Sequence, residues 1–348
     1  MDEALKILTE TTQEALVELY EKMNALASGG NMNKAKRIYR QMQIITVELG
    51  KFYDDFSAAA VEAEYLKGFD LEGMDLSFID TGEFKAKITD KTFTGLHMES
   101  IDALTTALQQ NLSMAIANLN IQVGRMAKDK FAEITKKQAL KGMLKGSTRK
   151  DISKNVVERL TQEGFIVFKD KLGRNWRLDS YAEMNMRSTL REANTRGIEN
   201  RAIQEGYDLL KVSEHGVTCE KCAKVEGRVF SISGNNANYP KWDNHIIKHT
   251  HPNCRHTVSI FQEKYYDGDV EELRKKSNSS TDYRTDAQKE KYQGMQQKKV
   301  KKRQNKLQYE RYKARLGKNA PKSLSGFIQV KKSKNWSNLK KKYKEAGR

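Results

Sequence analysis

Proline is scarce in this chain, at three residues in 348. Proline removes a backbone donor and clashes inside a helix, so its rarity leaves long helices uninterrupted. Cysteine is equally scarce at three residues. An odd number cannot pair completely within one chain, which excludes a densely disulfide-stapled scaffold and leaves metal binding or packing as the use of these thiols. A run of about eighteen apolar residues is missing, so a membrane-spanning helix is not expected and no membrane partner is implied. The first ten residues, MDEALKILTE, are acidic and amphipathic rather than basic and then apolar, unlike a secretory leader. The sequence reads as a soluble protein made in the cytosol. With 38% hydrophobic and 31% charged residues, the composition suits long exposed helices better than a compact β-rich enzyme.

What is present is distributed unevenly. Residues 271–348 hold 25 Lys and Arg against 7 Asp and Glu, while residues 1–270 hold 38 of each. The net charge of +18 therefore resides in the C-terminal part. The first hundred residues lean the other way, with 11 basic against 18 acidic, and could shield the basic end before it meets a polyanion.

Helical periodicity opens the chain. Leu16, Leu19, Met23 and Leu26 recur at three-four spacing, SGGN at 28–31 interrupts them, and Ala35, Ile38, Met42, Ile45 and Leu49 resume the pattern, as in a helical hairpin. From about 52 to 96 the signals are mixed, and GFDLEGMDLSFIDTGEF (68–84) is acidic and glycine-interrupted, more like a loop or a turn-rich excursion than a long helix. Ile101, Leu104, Leu108, Leu112, Ala115, Leu119, Val123 and Met126 then mark one stripe of a long helix reaching about 145, a core or coiled-coil face. GST at 146–148 breaks it before a shorter helix near 149–163. The period changes at FIVFKDKLGRNWRL (165–178), two short strands around a turn at Gly173. Asp179 or Ser180, with Glu183 following, forms a capping box for a helix ending near Gly206. A strand at 207–215 follows. The fold class expected is mainly α with a small α+β zinc-binding domain, divided as a helical region at 1–148, an α+β domain at 149–268 and a basic helical or disordered tail at 269–348.

Between 215 and 256 lie all three cysteines and five of the six histidines. Cys219-Glu-Lys-Cys222 and His251-Pro-Asn-Cys254 are both ligand-x-x-ligand spacings, in which a tight turn brings two side chains to one ion. Cys219, Cys222, His251 and Cys254 would form a closed tetrahedral structural Zn2+ site, with His256 the alternative fourth ligand and a hairpin such as GRVFSISG in the intervening stretch. The competing explanation is three reduced cysteines packed in a small core. His245 and His249 could instead belong to an open second site. A saturated thiolate site does not activate water, so the expectation is no enzymatic activity. The alternative is a metal-dependent DNA nuclease of His-metal type using the 243–256 cluster, with His249 or His256 and Asp243 as its parts.

In the basic region, RKKSNSSTDYRTDAQ is linker-like and KEKYQGMQQKKVKKRQNKLQYERYKARLG is a helix candidate. Lys298, Lys299, Lys301, Lys302, Arg303, Lys306, Arg311, Lys313 and Arg315 could neutralise phosphates without reading bases. Tyr309, Tyr312 and Trp336 are either stacking platforms for bases or packing contacts. The same charge could serve solubility or dock on an acidic protein surface.

The series Gly173-Arg174-Asn175-Trp176, Tyr181-Ala182-Glu183-Met184, Arg187, the C-x-x-C pair, Gly227 and HPNCRH, in that order, resembles the tailed-bacteriophage minor capsid and head-morphogenesis family, which includes phage minor capsid protein 2 and Mu F-like proteins and also occurs in prophages. The resemblance covers residues 150–265. It departs at Ser188, where the family tends to have threonine, and at His256, where many relatives have cysteine. The resemblance implies a low-copy virion protein in the capsid interior near the portal, present in the host cytoplasm during assembly. It further implies portal, capsid and scaffold proteins and the phage genomic DNA as partners, in head assembly or in DNA packaging and ejection. Some relatives carry a C-terminal toxin or ADP-ribosyltransferase domain; residues 270–348 are neither long nor apolar enough for one.

Overall fold

The computed structural model describes residues 1–69, 95–140, 165–169, 173–243 and 254–346. Helix α1 (Asp2–Ser28) buries Leu8, Leu16, Leu19, Met23 and Leu26, as the three-four spacing requires. Gly29 and Gly30 end it, and the Asn31 side chain accepts from the Lys34 backbone N–H at 3.1 Å to start α2 (Met32–Phe69). The hairpin reading holds, and α2 continues through residues 52–69, where the sequence signals are mixed; residues 70–84 of the turn-rich stretch lie outside the described residues. Tyr53, Ala60, Val61, Tyr65 and Phe69 keep the buried stripe going; small and polar members, Ser57 and Glu64, dilute it. Helix α3 (Gly95–Leu140) carries the expected long stripe from Ile101 to Ile134. The shorter helix expected near 149–163 lies outside the described residues.

Strands β1 (Ile166–Lys169) and β2 (Asn175–Arg177) form the antiparallel hairpin expected around Gly173, whose φ of +75° suits a residue without a Cβ. Helix α4 (Leu178–Gln204) begins two residues earlier than a cap at Asp179 would place it, and three earlier than a cap at Ser180. Leu178 is fully buried and its N–H donates to the Phe165 carbonyl at 3.0 Å, which draws Asp179 and Ser180 into the first turn. The strand expected at 207–215 is β3 (Leu209–Val212), the centre of a three-stranded antiparallel sheet with β4 (Val229–Ser231) and β5 (Val258–Ile260) on either side. GRVFSISG thus supplies one edge strand rather than a hairpin of its own. Between β3 and β4 lies one helical turn, α5 (Glu220–Ala223).

The basic region is helical. Helix α6 (Val270–Ser277) takes in the first residues of the linker-like stretch because Asp269 caps it and Leu273 is buried. It is followed by α7 (Asp286–Leu316), α8 (Leu324–Lys332) and α9 (Trp336–Glu345). Among the described residues no helix is long and apolar enough to cross a membrane.

The chain forms two compact units: Met1–Ile7, Asp54–Asn111 and Glu183–Gln296 in one, Leu8–Tyr53, Leu112–Ala182 and Gln297–Arg348 in the other. In the first unit α2 and α4 cross at glycines. A Cβ on Gly68 would fall on the Asn194 carbonyl, and one on Gly197 on the carbonyl of Tyr65. In the second, the Asn118 and Gln122 side chains of α3 donate to the carbonyls of Val167 and Ile166 at 2.9 and 2.7 Å, seating the β1–β2 hairpin. Arg177 at the end of that hairpin meets Glu310 of α7 at 2.9 Å, both buried, so α7 is anchored rather than trailing.

Candidate metal centre

Helix α5 is a single turn with Cys219 as its N-cap, and the Cys219 sulfur accepts from the Cys222 backbone N–H at 3.4 Å. This is the bond a thiolate at the head of a C-x-x-C turn receives. Cys222 then points into the core formed by Leu210, Val212, Phe230, Trp242 and Val258, where Cys254 joins it. Cys254 and His256 precede β5, so pairing of β5 with β3 fixes both next to the α5 turn.

Three ligand atoms converge there. The Cys222 and Cys254 sulfurs are 3.6 Å apart, Cys254 Sγ is 3.3 Å from His256 Nδ1, and the donor atoms of Cys222, Cys254 and His256 lie within 4.8 Å of one another. Each of these residues is no more than 2% exposed. Tetrahedral zinc with Zn–S of about 2.3 Å and Zn–N of about 2.0 Å requires edges of roughly 3.8 Å between sulfurs and roughly 3.5 Å between sulfur and nitrogen. The sulfur–sulfur and Cys254–His256 separations match those edges to a few tenths of an ångström, so these donors fit a structural zinc ion.

The charge balance points the same way. The Cys254 sulfur, together with burial, pushes the Cys222 thiol far above its ordinary value, because two adjacent thiolates in a core repel each other. A divalent cation between them removes that repulsion. Burial opposes a charge on His256, yet the Cys254 sulfur and the Glu226 carboxylate lift its pKa to about 9.

Two residues around the cluster carry no motif. Glu226 is buried, with its Oε1 3.3 Å from His256 Nε2; the same oxygen accepts from the backbone N–H groups of His215 and of Gly216, the latter at 2.9 Å. Burial raises its pKa, and the His256 ring with these amides more than offsets that, so Glu226 titrates below the usual carboxylate range. It orients the ring so that Nδ1 faces the sulfurs, the carboxylate–histidine arrangement that metal-bound histidines use. Arg191 of α4, 2% exposed, donates from Nη1 to the Cys254 carbonyl at 2.9 Å. It clamps the cysteine segment and sets a positive charge beside the thiols.

Of the sequence candidates, Cys222, Cys254 and His256 come together and Cys219 caps the adjoining turn. His251, with His245 and His249, lies outside the described residues. The burial of His256, its second nitrogen turned to Glu226, removes it from the solvent-facing position a general base for DNA cleavage needs. On α7, Lys298, Lys299, Lys301, Lys302 and Arg303 are exposed, within a stretch from 297 to 304 that is exposed on every side. Lys306, Arg311, Lys313 and Arg315 are half-buried: the Arg311 Nε donates to the Leu307 carbonyl at 3.2 Å, and Arg315 lies over the Tyr343 ring at 4.3 Å. Tyr309 and Tyr312 are buried, so packing is their role.

The family model for phage minor capsid protein 2 matches residues 61–315. The chain belongs to that family. The match takes in the cysteine–histidine cluster, Glu226, Arg191 and almost all of α7. A phage minor capsid protein is a structural component of the virion, which fits a chain whose ionisable cluster is sealed into a core. No curated protein and no solved structure matches the chain.

Proposed function

We propose that this minor capsid protein acts inside the phage head near the portal, in head morphogenesis and in the packaging or ejection of DNA. Cys219, Cys222, Cys254 and His256 hold a structural Zn2+ that fastens the β4–β3–β5 sheet to the α5 turn. The six cations of the basic helix from Lys298 to Lys306 contact the genome. The observation that carries the DNA reading is the stretch 297–304 of α7, exposed all round and rich in lysine, in a chain of a capsid family. A helix that is polar on every face does not build a core. Its exposed lysines would neutralise phosphates without sequence preference, and binding of this kind weakens steeply with salt. Portal, capsid and scaffold proteins are the protein partners this placement calls for.

The test is a gel assay of zinc-replete protein with plasmid DNA across a salt series, with magnesium and manganese in parallel lanes. A salt-sensitive shift without nicking is the expected result. Metal-dependent nicking lost in His256→Ala would replace this reading with a nuclease.

A further inference from the structure

The last forty residues build an object that their lysine content conceals. Tyr309, Tyr312 and Leu316 of α7 pack with Phe327 of α8 and Leu339 of α9, and Trp336 and Tyr343 close the cluster. Tyr312 stacks on Tyr343 with centroids 4.2 Å apart and on Trp336 at 5.4 Å, and Phe327 meets Trp336 edge-on at 5.7 Å. Ser323 caps α8 by accepting from the Gly326 N–H at 3.1 Å. Lys331 pins α8 to α7 by donating to Asn305 Oδ1 at 2.8 Å and Gln308 Oε1 at 2.7 Å. Only Ser333, Lys334 and Asn335 separate α8 from α9. Two short helices joined by a three-residue turn and laid across a third form a helix–turn–helix arrangement with its own core.

The surface of this module has one sign. Residues 317–346 contain nine lysines and a single acidic residue, Glu345. With Leu339 facing the core, the 100° step of a helix directs Lys341 and Lys344 outward with Lys340 on the flank; all three are exposed, as are Lys332 and Lys334 just before α9. All five rings between 305 and 346 are buried or half-buried in the shared core. The surface therefore offers cations without a free aromatic platform, which is the equipment for backbone phosphates and not for stacking on the unpaired bases of a single strand.

We propose that the α8–α9 module is a second nucleic-acid contact, distinct from the Lys298–Arg315 stretch, that binds duplex DNA through phosphates with Lys334, Lys340, Lys341 and Lys344. This rests on the reading of DNA as the partner of the basic region and assigns it a folded binding element in addition to a charged helix.

Fluorescence anisotropy of the full-length, zinc-replete protein with a short duplex and with a single strand of equal length, over a salt series, tests it. Replacing the four lysines (K334Q/K340Q/K341Q/K344Q) should lower the slope of log affinity against log salt by about 3 to 4, at about 0.9 per lost phosphate contact. The matching four-arginine variant should keep the wild-type slope, and helix content should be unchanged in both. If the glutamine variant keeps the wild-type slope while K298Q/K299Q/K301Q/K302Q lowers it, the module proposal fails and the DNA reading stands. If wild type binds neither DNA, both fall. Tighter binding to the single strand, or binding to polyglutamate with the same affinity and slope, overturns the duplex assignment.

Discussion

Around Cys222 and Cys254 the core sets ionisable groups among apolar side chains, whereas around Phe327 it consists of rings and aliphatic residues alone. Both sit beside strongly charged surface, and they hold their elements together in different ways. The aromatic module stacks large rings, each a substantial apolar surface, between the end of α7 and the two short helices α8 and α9. The cysteine–histidine core places two thiols, an imidazole, a carboxylate and a guanidinium in the interior, where each group costs free energy unless something compensates for it. A zinc ion held by the two thiolates and the imidazole would remove the share of that cost that falls on them. The comparison teaches that a core built from rings and one built around a proposed metal site should break under different treatments.

The largest effect separates them most sharply. Removing metal with a strong chelator should abolish the cooperative order of the β4–β3–β5 region, since structural zinc contributes on the order of 10 kcal/mol or more to folding in small sites. Hydrogen exchange followed by mass spectrometry should show loss of protection in peptides spanning 209–232 and 254–261, with peptides spanning 309–343 unchanged. Next in size is the converse. Phe327→Ala removes a fully buried ring and should destabilise the aromatic module by about 3 to 5 kcal/mol, read as lost protection in 309–343 with metal content intact. Smallest is Glu226→Gln. It keeps the shape of the side chain but weakens its hold on His256, and should reduce zinc affinity by about 10- to 100-fold in a chelator competition while leaving the fully loaded protein folded.

The helical frame was readable because its apolar residues repeat at three-four spacing over many turns, as from Leu16 to Leu49 and from Ile101 to Met126. The end of α2 was not. There Ala60, Glu64 and Gly68 stand in the stripe in place of large apolar residues, and the crossing with α4 leaves no room for a Cβ at Gly68 and Gly197. The cysteines were readable from their x-x spacing. Their supports were not, because Glu226 and Arg191 act through contacts made only once β3, β5 and α4 are assembled. The aromatic module was hidden by its own surface. Tyr309, Tyr312, Phe327, Trp336, Leu339 and Tyr343 are scattered among lysines over three helices, and only the turns at 317–323 and 333–335 bring them together.

The central claim is that the core around Cys222 and Cys254 is a zinc site. Zinc content of the purified full-length protein, measured by elemental analysis beside Cys222→Ser and His256→Ala, tests it most directly. The account predicts close to one zinc per chain in wild type and loss of it in both variants. Zinc-free wild-type protein with the 209–261 region fully protected from hydrogen exchange would contradict it and leave the cysteines as packing alone.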